Sequence, residues 1–336
     1  MATVEDVARE AGLSVATVSR VLNNSSSVRP ETAARVREAI DRLGYVPNVS
    51  ARNLRRNESR AILLLSPNFT NPFYAHVMTG VIEEARRYGY DVLLCSTAGN
   101  ADKERKLLEM LHNRRADGAI LLACTRQHHW IKRYADRYPL VVCPEYVPEL
   151  DVPHVSIDNR GAAREAVRYL IGLGHRRIGM IGADNDYLST YLRMEGYCDA
   201  LREAGLQRYE SDFGLASVDY SFASGHTCAH RILSQAQRPT AMFCVSDILA
   251  LSVISAAQER GIAVPDGLTV VGFDDVDYTT MLHPFLTTIR QPCTQLGEQS
   301  VRLLLELMQG RQPAQRQLTL PYQLIERESS ARCAER

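Results

Sequence analysis

The sequence predicts a small all-α helix-turn-helix headpiece followed by an α/β body of two lobes, each built on a parallel, doubly wound sheet. Three observations point there. Small and apolar positions over residues 3–22 describe two short helices around a glycine. From residue 61 onward, short apolar runs alternate with helical patterns, and strands that apolar need helices on both faces. Charge is also unevenly placed: residues 1–60 hold ten arginines and seven acidic side chains, a net +3, which leaves −3 on the remainder of a neutral chain.

Thr3 is placed to cap the first helix, with Asp6 three residues on, and Val4, Val7, Ala8 and Ala11 recur at helical spacing as one buried face. Gly12 supplies the turn. Ser14 can cap a second helix in which Ala16, Val18, Val21 and Leu22 alternate between packing and exposure. That leaves Val15, Ala16, Thr17, Ser19 and Arg20 free to enter a groove of DNA. A helical hairpin on the surface of an enzyme is the plainer alternative. Context favours the first reading: PETAARVREAIDRL at 30–43 makes a third amphipathic helix, and the basic stretch GYVPNVSARNLRRNESR then leads to Ala61. The arginine excess thus falls on the part expected to meet phosphate.

In the body, AILLLS, YDVLLCST, GAILLA and LVVCP read as strands, with helices over 73–88 and 102–114. A second series begins near Asn159, with helix 160–173, strand RIGMIGA, helices 187–204 and 221–234, strand AMFCVS, helix 247–260 and strand LTVVGFD. Ligands of such sheets bind at the carboxyl ends of strands near topological switch points, so the cleft between the lobes is the candidate site.

Several function classes are disfavoured. No apolar run approaches the roughly 20 residues of a membrane span, and the first residues lack the charged-then-apolar layout of a signal peptide. A cytoplasmic protein with no membrane partner is expected, and an exported solute-binding protein of transport is disfavoured. Cys95, Cys124, Cys143, Cys198, Cys228, Cys244, Cys293 and Cys333 contain no CxxC pair, and several lie in apolar runs such as LLCST and MFCVS; reduced, mostly buried thiols are expected. His226 and His230 have a metal-compatible spacing around Cys228, but no further ligands follow nearby in sequence, so they read as surface residues and no metal site is expected. His128, His129 and Trp130 read as a loop or helix start. GxSxG, P-loop and GxGxxG fingerprints are absent, and the pair Asp274 and Asp275 is too little for a metal-binding aspartate cluster, so neither an enzyme nor a cofactor is expected.

Seven segments in order carry a more specific signal: DVAREAGLSVATVSRVLN at 6–23, GYVPN at 44–48, NPFY at 71–74, GHRRIGMIG at 174–182, RMEGY at 193–197, GFDD at 272–275 and LTTIRQP at 286–292. Together they resemble the LacI/GalR family of bacterial transcription regulators. Within it, RNESRAIL at 56–63, VPELDVPHVSIDN at 147–159 and PTAMFCVSD at 239–247 are similar to the cytidine-responsive branch. The resemblance implies a DNA-binding headpiece over 1–47, a hinge helix and linker over 48–60, and a periplasmic-binding-protein-like effector and dimerisation domain over 61–336. Its N-lobe would take about 61–158 and 293–321, and its C-lobe about 159–291 and 322–333.

For the headpiece, the likeness implies that Val15, Ala16 and Arg20 face base edges in the major groove. Arg20 can pair bidentately with guanine, and Val15 and Ala16 suit methyl contacts. Thr17, Ser19, Asn23 and Ser27 are short donors suited to phosphates, and Thr3 and Ser14 at the two helix starts are counted with them. Residues 48–55, NVSARNLR, are too short for a stable isolated helix, which suits a hinge that folds on DNA. The likeness makes Leu54 a minor-groove wedge with Asn48, Ala51 and Arg55 beside it; a plain solvated linker is the alternative. Paired wedges imply a homodimer on a pseudo-palindromic operator. No leucine heptad tail follows LIERESSA, so a dimer rather than a tetramer is expected.

In the cleft, Phe73, Tyr74, Arg193, Tyr220, Asp247, Asp274 and Gln291 align with effector-contacting positions of the family. Arg193 and Asp274 can hold vicinal hydroxyls, Phe73 and Tyr220 can stack on a sugar face or a base, and Gln291 can reach a ring oxygen or amide. Asp247 serves equally as an acid at a helix start. Pro144 and Glu145 stand where many members carry Asp, which puts effector contacts there in doubt. The resemblance implies a repressor whose effector, a nucleoside such as cytidine or otherwise a sugar, changes the lobe angle, the order of the hinge and operator affinity. The cytidine-type likeness adds a cyclic-AMP receptor protein as a partner alongside.

Overall fold

The computed structural model describes residues 2–22, 28–45, 58–124, 130–218 and 220–334. The chain divides into two compact units, residues 1–59 and 60–336.

The first unit contains α1 (Val4–Ala11), α2 (Val15–Leu22) and α3 (Pro30–Leu43). Thr3 Oγ1 accepts from the Asp6 amide, and the Asp6 carboxylate accepts from the Thr3 amide at 3.0 Å, a complete capping box. Gly12 ends α1 at φ +60°, a left-handed conformation that favours glycine. A Cβ there would also lie 3.2 Å from the guanidinium of Arg35, which donates to Ala11 O at 2.6 Å and ties α3 to the turn. Val7, Val18 and Val36, one from each helix, are wholly buried and meet in a small core with Ala8, Ala11, Val21 and Ala39.

The second unit holds two six-stranded sheets. The first runs in the order β11 (Gln317–Leu320), β5 (His154–Ile157), β4 (Leu140–Val142), β3 (Gly118–Leu121), β1 (Ala61–Ser66), β2 (Asp91–Ser96), all parallel. The second runs β12 (Gln323–Ile325), β10 (Thr287–Arg290), β9 (Thr269–Asp274), β8 (Ala241–Cys244), β6 (Ile178–Ala183), β7 (Phe213–Ala216), parallel except for the antiparallel β12. Helices α4 (Pro72–Arg87), α5 (Ala101–His112), α6 (Ile131–Ala135) and α11 (Cys293–Met308) belong with the first sheet. Helices α7 (Asn159–Gly172), α8 (Leu188–Glu203), α9 (Phe222–Leu233) and α10 (Asp247–Glu259) belong with the second. The chain passes between the sheets three times, after β5, after β10 and after β11.

The central strands β1, β3, β6, β8 and β9 are buried along their whole length, which is why they read as unbroken apolar runs. Helices α4 and α11 cross at glycines: a Cβ on Gly80 would lie 2.1 Å from Thr294 O, and one on Gly297 2.2 Å from Val77 O. Glu84 of α4, almost fully buried, accepts from Arg302 of α11 and from Arg87, and these cations hold its carboxyl below the usual range.

Two expectations need correction. YDVLLCST was expected to be covered on both faces, but β2 is an edge strand whose residues are half-buried or exposed. Consequently Cys95 is half-buried, as are Cys198, Cys228 and Cys333, while only Cys124, Cys143, Cys244 and Cys293 are fully buried. Among the described residues, no helix is long and apolar enough to cross a membrane.

Candidate functional site

On the headpiece, the side of α2 away from Val18 and Val21 exposes Val15, Ala16 and Arg20, with Thr17 and Ser19 half-buried. An arginine flanked by small apolar side chains can approach base edges closely while its guanidinium selects a partner. The hydroxyls of Thr3 and Ser14 are engaged within the chain, Thr3 with Asp6 at 2.8 Å and Ser14 with Thr17 at 2.9 Å. At these two positions the helix start is what the side chain visibly serves. Asn23, Ser27, Asn48, Ala51, Leu54 and Arg55 lie outside the described residues.

In the body, Asn71, Phe73, Tyr74, Glu145, Ser189, Arg193, Tyr220, Ser246 and Asp274 converge from strand ends and helix starts of both lobes. Arg193, from α8, is its organising group. Its Nε donates to Asn159 Oδ1 at 2.9 Å, one Nη donates to Val245 O at 2.6 Å, and the same Nη lies 3.4 Å from Asp274 Oδ1. The guanidinium rests 3.7 Å above the Phe273 ring, a cation–π contact that fixes its plane. Asp274 also accepts from Gln291 Nε2 at 2.7 Å. Burial raises the Asp274 carboxyl to about 6, even though Arg193 and Gln291 favour its ionised form.

Across the cleft, Glu145 accepts from the Ser189 amide at 3.1 Å and from the Ser189 hydroxyl, and burial pushes its carboxyl up against the pull of these bonds. The Tyr220 hydroxyl pairs with Thr190, and Phe73 meets Tyr74 edge to face at 5.4 Å. Three of the seven described non-glycine residues with positive φ, Tyr220, Asp274 and Asp275, lie here, at 56°, 116° and 59°. Non-glycine residues hold such angles only where their surroundings enforce them, and such sites cluster at ligand clamps. Asp275 is held by Arg290 at 2.5 Å and Arg327 at 2.7 Å. The open space among the cleft residues is about 20 Å³, about that of one water and too small for a nucleoside or sugar as the cleft stands.

Two of the seven residues expected in the cleft do not line it. Asp247 opens α10 and is buried; its carboxylate accepts from the Val276 amide at 2.9 Å and the Thr288 hydroxyl at 2.6 Å, joining the helix to the segment after β9 and to β10. Burial and the neighbouring Asp274 push its carboxyl well up. Gln291 stands behind Asp274, and its Oε1 is buried with no hydrogen-bond partner among the described residues. Conversely Glu145, set aside as a departure, is in the cleft. An acid directly after the apolar run LVVCP was the available signal, because strand carboxyl ends converge there. Asn71, Ser189 and Ser246 line the cleft too; Ser246, at the end of AMFCVS, is at a position where the resemblance implies ligand contact, whereas Asn71 and Ser189 are ordinary helix-start residues. A larger hollow of about 630 Å³ beside Arg105, Trp130 and Arg133 has neither strained backbone nor buried charges. His226 and His230, which have no further ligand pair nearby in sequence, both meet Glu259 of α10, 29 residues beyond His230.

Comparison with known proteins matches residues 3–48 to bacterial regulatory proteins of the lacI family and residues 167–330 to a periplasmic binding protein-like domain. The HTH-type transcriptional repressor CytR of Escherichia coli K12 is 38% identical over 310 residues, which cover 92% of this chain and 90% of that protein. The repressor PurR of Serratia proteamaculans is 37% identical over 335 residues, 98% of this chain and 97% of that one. Among solved structures, the Lac repressor dimer bound to operator and the anti-inducer ONPF superposes with a TM-score of 0.89 at 27% identity, covering 98% of this chain and 99% of that chain.

Proposed function

Because the chain belongs to the lacI family of bacterial regulatory proteins and is a DNA-binding transcriptional repressor rather than an enzyme, we propose that a nucleoside such as cytidine, bound between its lobes, controls its affinity for a pseudo-palindromic operator. The observation that carries this reading is the buried Arg193–Asp274 pair at the junction of the lobes, set among strained residues in a space that a ligand must open. A carboxylate and a guanidinium side by side suit the two hydroxyls of a ribose. Phe73 and Tyr220 offer aromatic faces for a base, and Glu145 can accept from an exocyclic amine or from a hydroxyl.

DNA contact by Val15, Ala16, Thr17, Ser19 and Arg20 is supported by the exposed side of α2. The roles of Asn48, Ala51, Leu54 and Arg55 at a hinge rest on the resemblance alone. A homodimer is supported by large apolar side chains left exposed on both lobes, Leu94 on β2 and Met281 and Leu282 after β9. The cytidine-type likeness extends the reading to a cyclic-AMP receptor protein on adjacent DNA, which joint footprinting would test. A cytoplasmic location follows from the same reading.

Calorimetric titration of the purified protein with cytidine, adenosine, pentoses and hexoses tests the effector class. Saturable cytidine binding that Asp274→Ala abolishes, while DNA binding by that variant persists, is the expected result. Binding by sugars alone would keep the repressor and reject the nucleoside.

A further inference from the structure

His226 and His230 stand one turn apart on α9, and both aim Nε2 at the carboxylate of Glu259, the last residue of α10. His226 Nε2 is 2.9 Å from one oxygen and His230 Nε2 is 2.7 Å from the other. The three donor atoms all lie within 4.8 Å of one another. We propose that this cluster is a divalent-cation site that takes Zn²⁺, with His226, His230 and Glu259 as protein ligands and water in the fourth position.

Two imidazole nitrogens and a carboxylate oxygen are a donor set for zinc, and bonds of about 2.0–2.2 Å in a tetrahedron hold donors roughly 3.3 Å apart. The two histidine–carboxylate separations of 2.9 and 2.7 Å are slightly shorter than that, and all three donor atoms lie within 4.8 Å of one another. The scaffold beneath is rigid: Gly225 lets α9 approach α10 so closely that a Cβ there would lie 2.5 Å from Ser252 Oγ and 2.7 Å from a Leu249 methyl. The His226 ring stacks on Phe222 at 5.8 Å, which limits its rotation. Glu259 closes a helix with no basic side chain in its last turn, where a carboxylate faces the negative end of the helix dipole and a cation would offset it. All three side chains are partly exposed, so an ion can enter from solvent. Each neutral imidazole binds the ion through its Nε2 lone pair and carries its single ring proton on Nδ1, so a ring that is already neutral releases no proton to solvent. The third ligand is 29 residues from His230 and on another helix, which hid it from a reading by spacing. Since Tyr220 and Ser246 lie just ahead of α9 and α10, the ion would brace the two helices whose starts flank the cleft.

The test is zinc titration of the chelator-stripped full chain, with thiols kept reduced, by calorimetry and thermal melting. One ion per chain is expected, with Tm rising by roughly 5 °C at a zinc concentration about a hundredfold above Kd. The double variant His226→Ala/His230→Ala should lose at least tenfold in affinity and the Tm shift. Glu259→Gln, which preserves shape, should weaken binding and covers the case in which the double variant does not fold. Co²⁺ should give a visible d–d band with no thiolate charge-transfer band. Absence of binding, retained binding and Tm shift in the double variant, unchanged affinity in Glu259→Gln, or a thiolate band would each overturn the proposal.

Discussion

Asp274 concentrates the chemistry of the cleft, and its burial makes a pH prediction. Its carboxyl is raised from 3.8 to about 6, so the folded protein holds this proton more tightly than the unfolded chain does. The resulting stabilisation is complete below about pH 4 and is lost as pH rises through about 6, a change of order 2–3 kcal/mol. Asp274→Asn should flatten that part of the stability profile in urea melts recorded from pH 4 to 7. Effector binding should run the opposite way, because hydroxyl donors prefer the ionised carboxylate, so affinity should weaken below about pH 6. A flat calorimetric profile over that range would remove Asp274 from the contact. On the headpiece, Arg20→Ala should cost about 1–3 kcal/mol on specific DNA and much less on unrelated duplex. Equal losses in fluorescence anisotropy would reassign Arg20 to phosphate. Arg193 and Asp274 were placed in the cleft by the resemblance, and charged residues beside apolar runs, which need partners, agreed with it. Asp247 was not, since an acid at a helix start looks alike whether it faces the cleft or, as here, the amide of Val276.

At the level of elements, the close crossing of α4 and α11 gives a sharp test. Gly297→Ala puts a methyl 2.2 Å from Val77 O, a backbone atom that can move only with its helix. A loss of more than about 3 kcal/mol is expected from such overpacking, well above the ~1 kcal/mol typical of point changes. Urea melts followed by circular dichroism would measure it, and a loss near 1 kcal/mol would mean that the crossing yields easily. Thr3→Ala, which removes the capping box of α1, should cost about 1 kcal/mol of headpiece stability. The element pattern explains what could be read in advance. Helix α3 was visible over 30–43 because Pro30 opens it and Gly44 follows it, and the buried strands were visible as apolar runs. Strands β11 and β12 are short and partly exposed, and each finds its place beside a strand distant in sequence, so local periodicity carried no sign of them.

For the whole molecule, the account rests on coupling between two sites that share no atoms. A ligand shifts an equilibrium only by its differential affinity for the two states, and typical couplings of 1–3 kcal/mol change DNA affinity by about 5–150-fold. On the proposed reading, the small space between Arg193, Asp274, Glu145 and Tyr220 would make lobe separation a condition of ligand entry and so link occupancy to conformation. The first lobe brings Asn71, Phe73, Tyr74 and Glu145 to the cleft, and the second brings Ser189, Arg193, Tyr220, Ser246 and Asp274. The most direct measurement is fluorescence anisotropy of an operator selected from random duplexes by the full chain, titrated with and without cytidine, adenosine, ribose and glucose. The account predicts that cytidine alters the operator Kd by at least fivefold, that Asp274→Ala abolishes this response, and that non-specific duplex is unaffected. An operator Kd that none of these compounds changes would contradict it.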